Sequence, residues 1–336
     1  MRWQFHHLTI AGLTNDATLR QNWQESFASL PSSTAVPNLT IHLNVTGHIP
    51  PPPPGEPHFR QGDLLHYYVQ GDEVIAHFPR YGQLRLHLAE GMTDGRIHPR
   101  ASHTYGVLED LIAISLSPHL RRRGLFLLHA FAAVWGDTAV LLVGGIGAGK
   151  TTTGMALLNA GWRLLSNDSP IVGADGMILS YPGLLAAYPE TFARFPATKH
   201  LADNIALKRT LINADDADYQ KEKSAKSAKS ADSSRKITVP AQEIWPNVWQ
   251  DAAPIGAICF PQIENRASHA LEPLTPPQAL ARLMPHAIEQ WDKSMIPAHL
   301  ARLRQLVEAA PTYILHLGPD VLTIPETLRE GMMRDT

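Results

Sequence analysis

A single cysteine in 336 residues leaves the chain without an internal disulfide, a usage that suits a reducing cytosol. Cys259 sits in the apolar run Ile255-Gly-Ala-Ile-Cys-Phe260, which reads as a buried strand carrying an inert thiol. An excess of either charge is also lacking. A net charge of −2 at pH 7 gives no electrostatic reason to expect nucleic acid or an anionic membrane as a partner. No apolar run approaches the roughly 20 residues of a membrane span, and Met1-Arg-Trp-Gln-Phe-His-His has no signal-peptide core. The expectation is a cytoplasmic protein with no membrane partner. What the chain does have is 44% hydrophobic residues, enough to build one large or two ordinary domains with a real core.

The stretch that organises the rest is Leu141-Leu-Val-Gly-Gly-Ile-Gly-Ala-Gly-Lys-Thr-Thr-Thr153. Gly144, Gly149, Lys150 and Thr151 fit G-x-x-x-x-G-K-[ST], the pattern of a loop whose backbone N–H groups cradle phosphates. Gly145, Gly147 and Gly149 allow positive φ and close approach of backbone to a ligand, with Ile146 and Ala148 between them. Lys150 can reach β- and γ-phosphates, and Thr151 can offer its hydroxyl to Mg²⁺, with Thr152 next in the first helical turn. Flanking patterns agree. Ala139–Val143 is a buried-strand run, and Met155, Leu157 and Leu158 repeat at helical spacing up to Gly161. ATP with Mg²⁺ is the ligand expected.

Residues 1–103 read as a β-rich region. Leu39–Val45, Leu65–Val69, Val74–Phe78 and Leu84–Leu88 alternate apolar and polar side chains. Gln70-Gly71-Asp72 joins two of them as a hairpin, and Pro50–Pro54 reads as an extended polyproline connection. The eight histidines from His6 to His87 show no ligand spacing with Cys, Asp or Glu, so they read as strand-face residues. Tyr105–Leu116 has the apolar spacing of a helix ended by Pro118. Arg121-Arg-Arg123 reads as a solvated cap on the helix dipole or as a group near phosphates.

Leu125–Trp135 and Ala139–Val143 are expected as strands joined by the two-residue turn Gly136-Asp137. Pairing Trp135 with Thr138 then runs the antiparallel register down to His129 opposite Gly144. His129 is either a satisfied core residue or a group at the phosphates, and the register favours the second. The next strand, Arg163–Leu165, leads into Ser166-Asn-Asp168. Asp168 is there the metal-side or base candidate, a turn residue being the alternative.

Together, Leu127-Leu-His-Ala130, the Gly-Asp hairpin, Gly144–Thr151, Asn159-Ala-Gly-Trp162 and Leu164-Leu-Ser-Asn-Asp168 resemble HPr kinase/phosphorylase and its kinase-like relatives. The close likeness spans roughly 104–190, including Tyr181-Pro-Gly183 and Tyr188-Pro-Glu190. It implies an α/β P-loop mixed sheet of the phosphoenolpyruvate carboxykinase type over 104–336, Lys150 and Thr151 serving ATP and Mg²⁺, His129 near the phosphates, and Asp168 as the second of the family's paired aspartates. The first is Asn167 here, and an amide cannot take a proton from a hydroxyl. Thr152 also stands where an acidic residue often follows the P-loop hydroxyl. Both departures point away from HPr itself.

Lys221–Lys236 is a Lys-Ser-Ala repeat with too little apolar surface to pack, expected as a mobile insertion from which Arg235 or Lys236 can fold over phosphates. Beyond it, Ile255–Phe260 and Thr312–Leu317 read as strands, and Pro277–Ile288, Pro297–Ala309 and Ile324–Met332 as helices. The function expected is transfer of the γ-phosphoryl group of ATP to a hydroxyl of a small molecule or peptide, a kinase activity with Asp168, His129 and Lys150 at its centre. A nucleotide-responsive binding protein or weak ATPase is the alternative. The sequence leaves the oligomeric state open, a homo-oligomer included.

Overall fold

The structure, a computed structural model, describes residues 1–104, 106–201, 236–287 and 289–334. These form a mixed α/β protein that divides into two compact units. The first holds residues 1–123 and Glu289–Ser294, and the second holds 124–201, 236–287 and 295–334. Of the expected insertion, only Lys236 falls among the described residues, and Arg235 lies outside them. Among the described residues no helix is long and apolar enough to cross a membrane.

The first unit is β-rich. Its sheet contains β1 (Arg2–Phe5), β2 (Leu8–Thr14), β3 (Leu39–Val45), β4 (Phe59–Gln61), β5 (Leu65–Gln70), β6 (Glu73–Phe78), β7 (Gly82–His87) and β8 (Met92–Ile97). Their order is β1-β2-β3-β8-β7-β6-β5-β4, with β2, β3 and β8 parallel and the remaining pairs antiparallel. Alternation sets the faces: Leu39, Ile41 and Leu43 are buried along β3, whereas Thr40 and His42 are half-exposed. The Gly71-Asp72 turn joins β5 to β6. Helix α1 (Ala17–Ser26) covers part of this sheet, its N-terminus capped by Asp16, whose carboxylate accepts the Leu19 N–H at 2.8 Å.

Helix α2 (Val107–Arg121) corrects two expectations. It does not stop before Pro118 but carries the proline inside its last turn. Proline loses one backbone bond there, yet the extra turn buries His119, Leu120 and Arg121, and that packing outweighs the lost bond. Nor is Arg121 a solvated cap. Its side chain is buried against Asp292, with Nε 3.0 Å from Oδ2, and Arg122 closes on the same carboxylate at 2.8 and 3.1 Å. Neighbouring Trp291 stacks on Tyr67 with ring centroids 4.6 Å apart.

The second unit is layered helix, sheet, helix. Its sheet contains β9 (Phe126–Leu127), β10 (Ala130–Trp135), β11 (Thr138–Val143), β12 (Arg163–Ser166), β13 (Ile171–Val172) and β14 (Met177–Leu179). A small pair, β15 (Leu185–Ala187) and β16 (Ile237–Val239), stands apart. The long strand β17 (Ala252–Ile263) and then β18 (Ala270–Pro273) and β19 (Thr312–Leu317) complete it. β17 links the two halves, pairing antiparallel with β14 through its first residues and parallel with both β11 and β19 further on. β11 is buried on both faces from Ala139 to Val143, and that stretch is apolar throughout. Val140 and Leu142 join a core with α3 (Lys150–Asn159), whereas Ala139, Leu141 and Val143 join a core with Ala279, Leu283, Leu303 and Leu306 on the opposite face.

The remaining helices follow their start signals. Among them are α4 (Pro189–Phe192), α5 (Ala241–Ile244), α6 (Pro276–Leu283), α7 (Ile296–Ala309) and α8 (Ile324–Arg334). At the start of α6, Thr275 and Gln278 form a capping box. The Cys259 thiol is fully buried in β17, and burial pushes its pKa up to about 12. It is not a nucleophile.

Candidate active site

The hairpin of β10 and β11 has the expected register, from Trp135 paired with Thr138 to Ala130 paired with Val143. The single strand expected over Leu125–Trp135 is instead broken at Leu128 and His129. There the backbone changes partners: Leu128 N–H donates to Pro170 O, His129 N–H to His286 O at 2.8 Å, and Ala130 N–H to Asp168 O. The break sets the His129 side chain at the end of β11 rather than in the core. It remains 40% exposed.

From Val143 the chain enters the glycine loop Gly144–Gly149 and then α3. Gly147 and Gly149 have φ of 82° and 98°, conformations an L side chain rarely adopts, and Gly149 is the residue immediately before the helix. Gly145, Ile146 and Gly147 are exposed at the loop tip, while Gly144, Ala148 and Gly149 are half-buried. Thr151 and Thr152 stand half-exposed in the first turn, where helix N–H groups lack intrahelical partners. The helix approaches β10 closely. A Cβ on Gly154 would come within 2.4 Å of the Phe131 ring.

Lys150 is folded back under the loop. Its Nζ donates to Gly144 O at 2.6 Å and Gly145 O at 3.2 Å and lies 3.1 Å from His129 Nε2. Burial lowers its pKa, Asp168 works in the opposite direction, and the positive charge of Lys236 lowers it further. An ammonium has only donors, so His129 Nε2 is the acceptor in this contact and the ring proton is placed on Nδ1. That nitrogen is 3.2 Å from Asp168 Oδ1. Asp168, His129 and Lys150 therefore form one chain of contacts, from the end of β12 across the end of β10 to the start of α3.

Asn167 is turned aside. Its side-chain amide donates to Leu184 O at 2.8 Å, so it ties two loops together. Lys236, whose charge acts on Lys150, has its Nζ 5.3 Å from the centre of the Tyr188 ring.

Beside the loop lies a cavity of about 480 Å³, lined by Gly149, Thr152, Tyr188, Arg266, Leu317 and Gly318 among others. Its walls come from the ends of β17 and β19, which run parallel to β11. It therefore sits at the carboxyl ends of the parallel strands, the position where open α/β sheets bind ligands. Neither this cavity nor His286 is marked by any local pattern. Both arise from pairing between elements far apart in the sequence.

No family model matches the chain, and a search of curated proteins finds no match.

Proposed function

We propose that this chain is a Mg²⁺-dependent, HPr kinase-like phosphotransferase on a P-loop fold of the carboxykinase type, transferring the γ-phosphoryl group of ATP to a hydroxyl of a small molecule or peptide. The observation that carries this reading is the convergence of the glycine loop, Lys150 and the His129–Asp168 pair at the carboxyl end of β11. The residues fit the ligands. The loop tip is exposed, its glycines hold conformations that leave no Cβ in the cradle, and a buried lysine points along it. For the metal, Thr151 and Asp168 offer two oxygens. No group of three or more His, Cys, Asp or Glu among the described residues could hold an ion, so phosphate and water would complete the shell, as Mg²⁺ prefers.

In this reading Thr151 and Asp168 would hold Mg²⁺, which when bound would supply neutralising charge to the phosphates. The chain supplies position: loop amides and the start of α3 hold the phosphates, and Lys150 turns from its carbonyls to the β/γ oxygens. Asp168 orients His129 and the metal side, and the cavity beside Gly149 and Thr152 takes the nucleoside. Lys236, whose charge acts on Lys150, can meet phosphate or acceptor. The setting would be the cytosol.

Asn167 favours a second reading, a nucleotide-responsive binding protein or weak ATPase, because its amide is committed to Leu184 O and cannot accept a proton. One experiment separates the two. The full chain is incubated with Mg²⁺ and γ-labelled ATP against a panel of hydroxyl metabolites and Ser/Thr peptides, with thermal shift measured alongside. Label transferred to an acceptor supports the kinase. Stabilisation by ATP without any transfer supports the second reading, and no stabilisation removes both.

A further inference from the structure

Whatever hydroxyl is phosphorylated must lose a proton, and the two groups nearest the loop are poorly placed to take it. Asn167 is an amide, and His129 has both ring nitrogens engaged, Nδ1 towards Asp168 and Nε2 with Lys150. A second imidazole stands beside them. His286 ends the short 3-10 turn Met284–His286 that follows α6. Its carbonyl accepts the His129 N–H at 2.8 Å, which anchors the turn to the break between β9 and β10. Its ring centroid is 6.3 Å from that of His129, the planes inclined by 31°. The residue is half-buried, and neither ring nitrogen bonds to a described residue.

The titratable groups that act on this ring come from two elements, His129 from the β9–β10 break and Lys150 from α3, with Asp168 at the end of β12 against the far nitrogen of His129. Burial first, then His129 and Lys150, pushes the His286 pKa down to about 4. The ring is thus uncharged at neutral pH and keeps a lone pair. A low pKa makes a weak base in the free protein, but bound phosphates add negative charge beside it and favour its protonated form. In phosphoryl transfer the transition state is loose, so the proton acceptor mainly orients the hydroxyl and takes its proton late.

We propose that His286 is the group that accepts the proton of the acceptor hydroxyl, an assignment that rests on the phosphotransferase reading given above. The acceptor oxygen bonds to the γ-phosphorus as its O–H bond breaks. The bond from the γ-phosphorus to the β–γ bridging oxygen breaks with its electron pair leaving on ADP. The proton passes to His286 and then to water, so that hydroxyl and ATP give phosphate ester, ADP and one proton. The placement also assigns the flanks: acceptor on the His129–His286 side, nucleoside in the cavity by β17 and β19. The substrate class that fits is a neutral hydroxyl reaching between two imidazoles, since a cationic acceptor would meet the Lys150 ammonium.

The test uses His286→Gln and His286→Ala in the full chain, with circular dichroism to establish folding. With Mg²⁺ and ATP both variants should keep the wild-type nucleotide-induced rise in melting temperature. Phosphate release to water or to an added alcohol should fall about 100-fold, and the acidic limb of the wild-type pH–rate profile should disappear in His286→Gln. Wild-type rates with an unchanged profile in either variant would overturn the assignment. A readout independent of turnover is the imidazole NMR titration of the wild type. Mg²⁺ with a non-hydrolysable ATP analogue should shift the His286 ring signals and raise its pKa, and signals that do not move also overturn it. If the wild type shows no nucleotide-induced stabilisation, the parent reading has failed and this one falls with it.

Discussion

Nε2 of His129 and Nζ of Lys150 lie 3.1 Å apart, and the same ammonium reaches the carbonyls of Gly144 and Gly145. Three donors thus have three acceptors, so the lysine is satisfied under the loop without any ligand. A phosphate oxygen carries a full negative charge and makes a stronger, charge-assisted bond than a carbonyl. Drawing Lys150 out is therefore favourable only when an anion fills the cradle.

Lys150→Ala removes the cation held against the glycine loop. In the wild type, Mg·ATP at about 100 times its Kd should add about 2.7 kcal/mol to the unfolding free energy, and the variant should gain almost none of it. Thermal shift reads this directly. An undiminished ATP-induced shift in Lys150→Ala would sink the assignment of the loop.

Asp168→Asn should separate binding from chemistry. The carboxylate is 59% exposed and approaches His129 Nδ1, so its removal costs the fold little. A group that orients the imidazole and the metal acts mainly in the transition state. Turnover should fall by roughly 100-fold or more, with the nucleotide isotherm unchanged. Initial rates and calorimetric titration check both halves, and wild-type turnover would reduce Asp168 to a turn residue.

Much of this site could be read from the chain because its parts are local. The Gly136-Asp137 turn fixes the β10–β11 register, and with it His129, by counting alone. Likewise, the glycine loop sits between a strand and a helix whose periodicities are plain. What escaped depends on distant partners. Nothing near Pro118 tells that a further turn of helix will bury Arg121 against Asp292, 171 positions away. The strand break at His129 depends on acceptors at Pro170, Asp168 and His286, and the cavity beside Gly149 depends on the parallel pairing of β17 with β19. Local pattern gives elements and turns, while burial of charge and the meeting of strand ends are tertiary.

Gly154→Ala tests how closely α3 lies on β10. The added Cβ would meet three ring carbons of Phe131 at 2.4 to 2.5 Å, and Phe131 is fully buried, so the ring cannot swing away. Helix propensity favours alanine by about 1 kcal/mol, but overpacking in a dense core costs about 1–3 kcal/mol. The net should be destabilising, with α3 displaced and ATP binding weakened along with it. Gly154→Ala together with Phe131→Leu should recover part of the loss. Chemical denaturation decides it, and a variant as stable as the wild type would mean that α3 is not seated on Phe131.

In the first unit the decisive group is Asp292, which holds two arginines. Arg121 and Asp292 have side chains only 3% exposed, so Asp292→Ala strands a buried guanidinium without its counterion. Losing one partner of a buried pair costs about 3–5 kcal/mol, on the order of 10 °C in melting temperature for a unit of this size. The pH dependence follows from the shift of the carboxyl group. Burial raises its pKa, but the hydrogen bond from Arg122 and the charges of both arginines outweigh this and leave it below its ordinary value. A depressed carboxyl pKa contributes stability that is fully present above the unfolded value and is lost as pH falls through the folded one. The gap between wild type and Asp292→Asn should therefore stay constant from pH 7 to about 5 and narrow below about 4. Calorimetric melts across this range would show it. A constant gap down to pH 2, or an Asp292→Ala variant melting with the wild type, would mean that the two arginines are held by something other than this carboxylate.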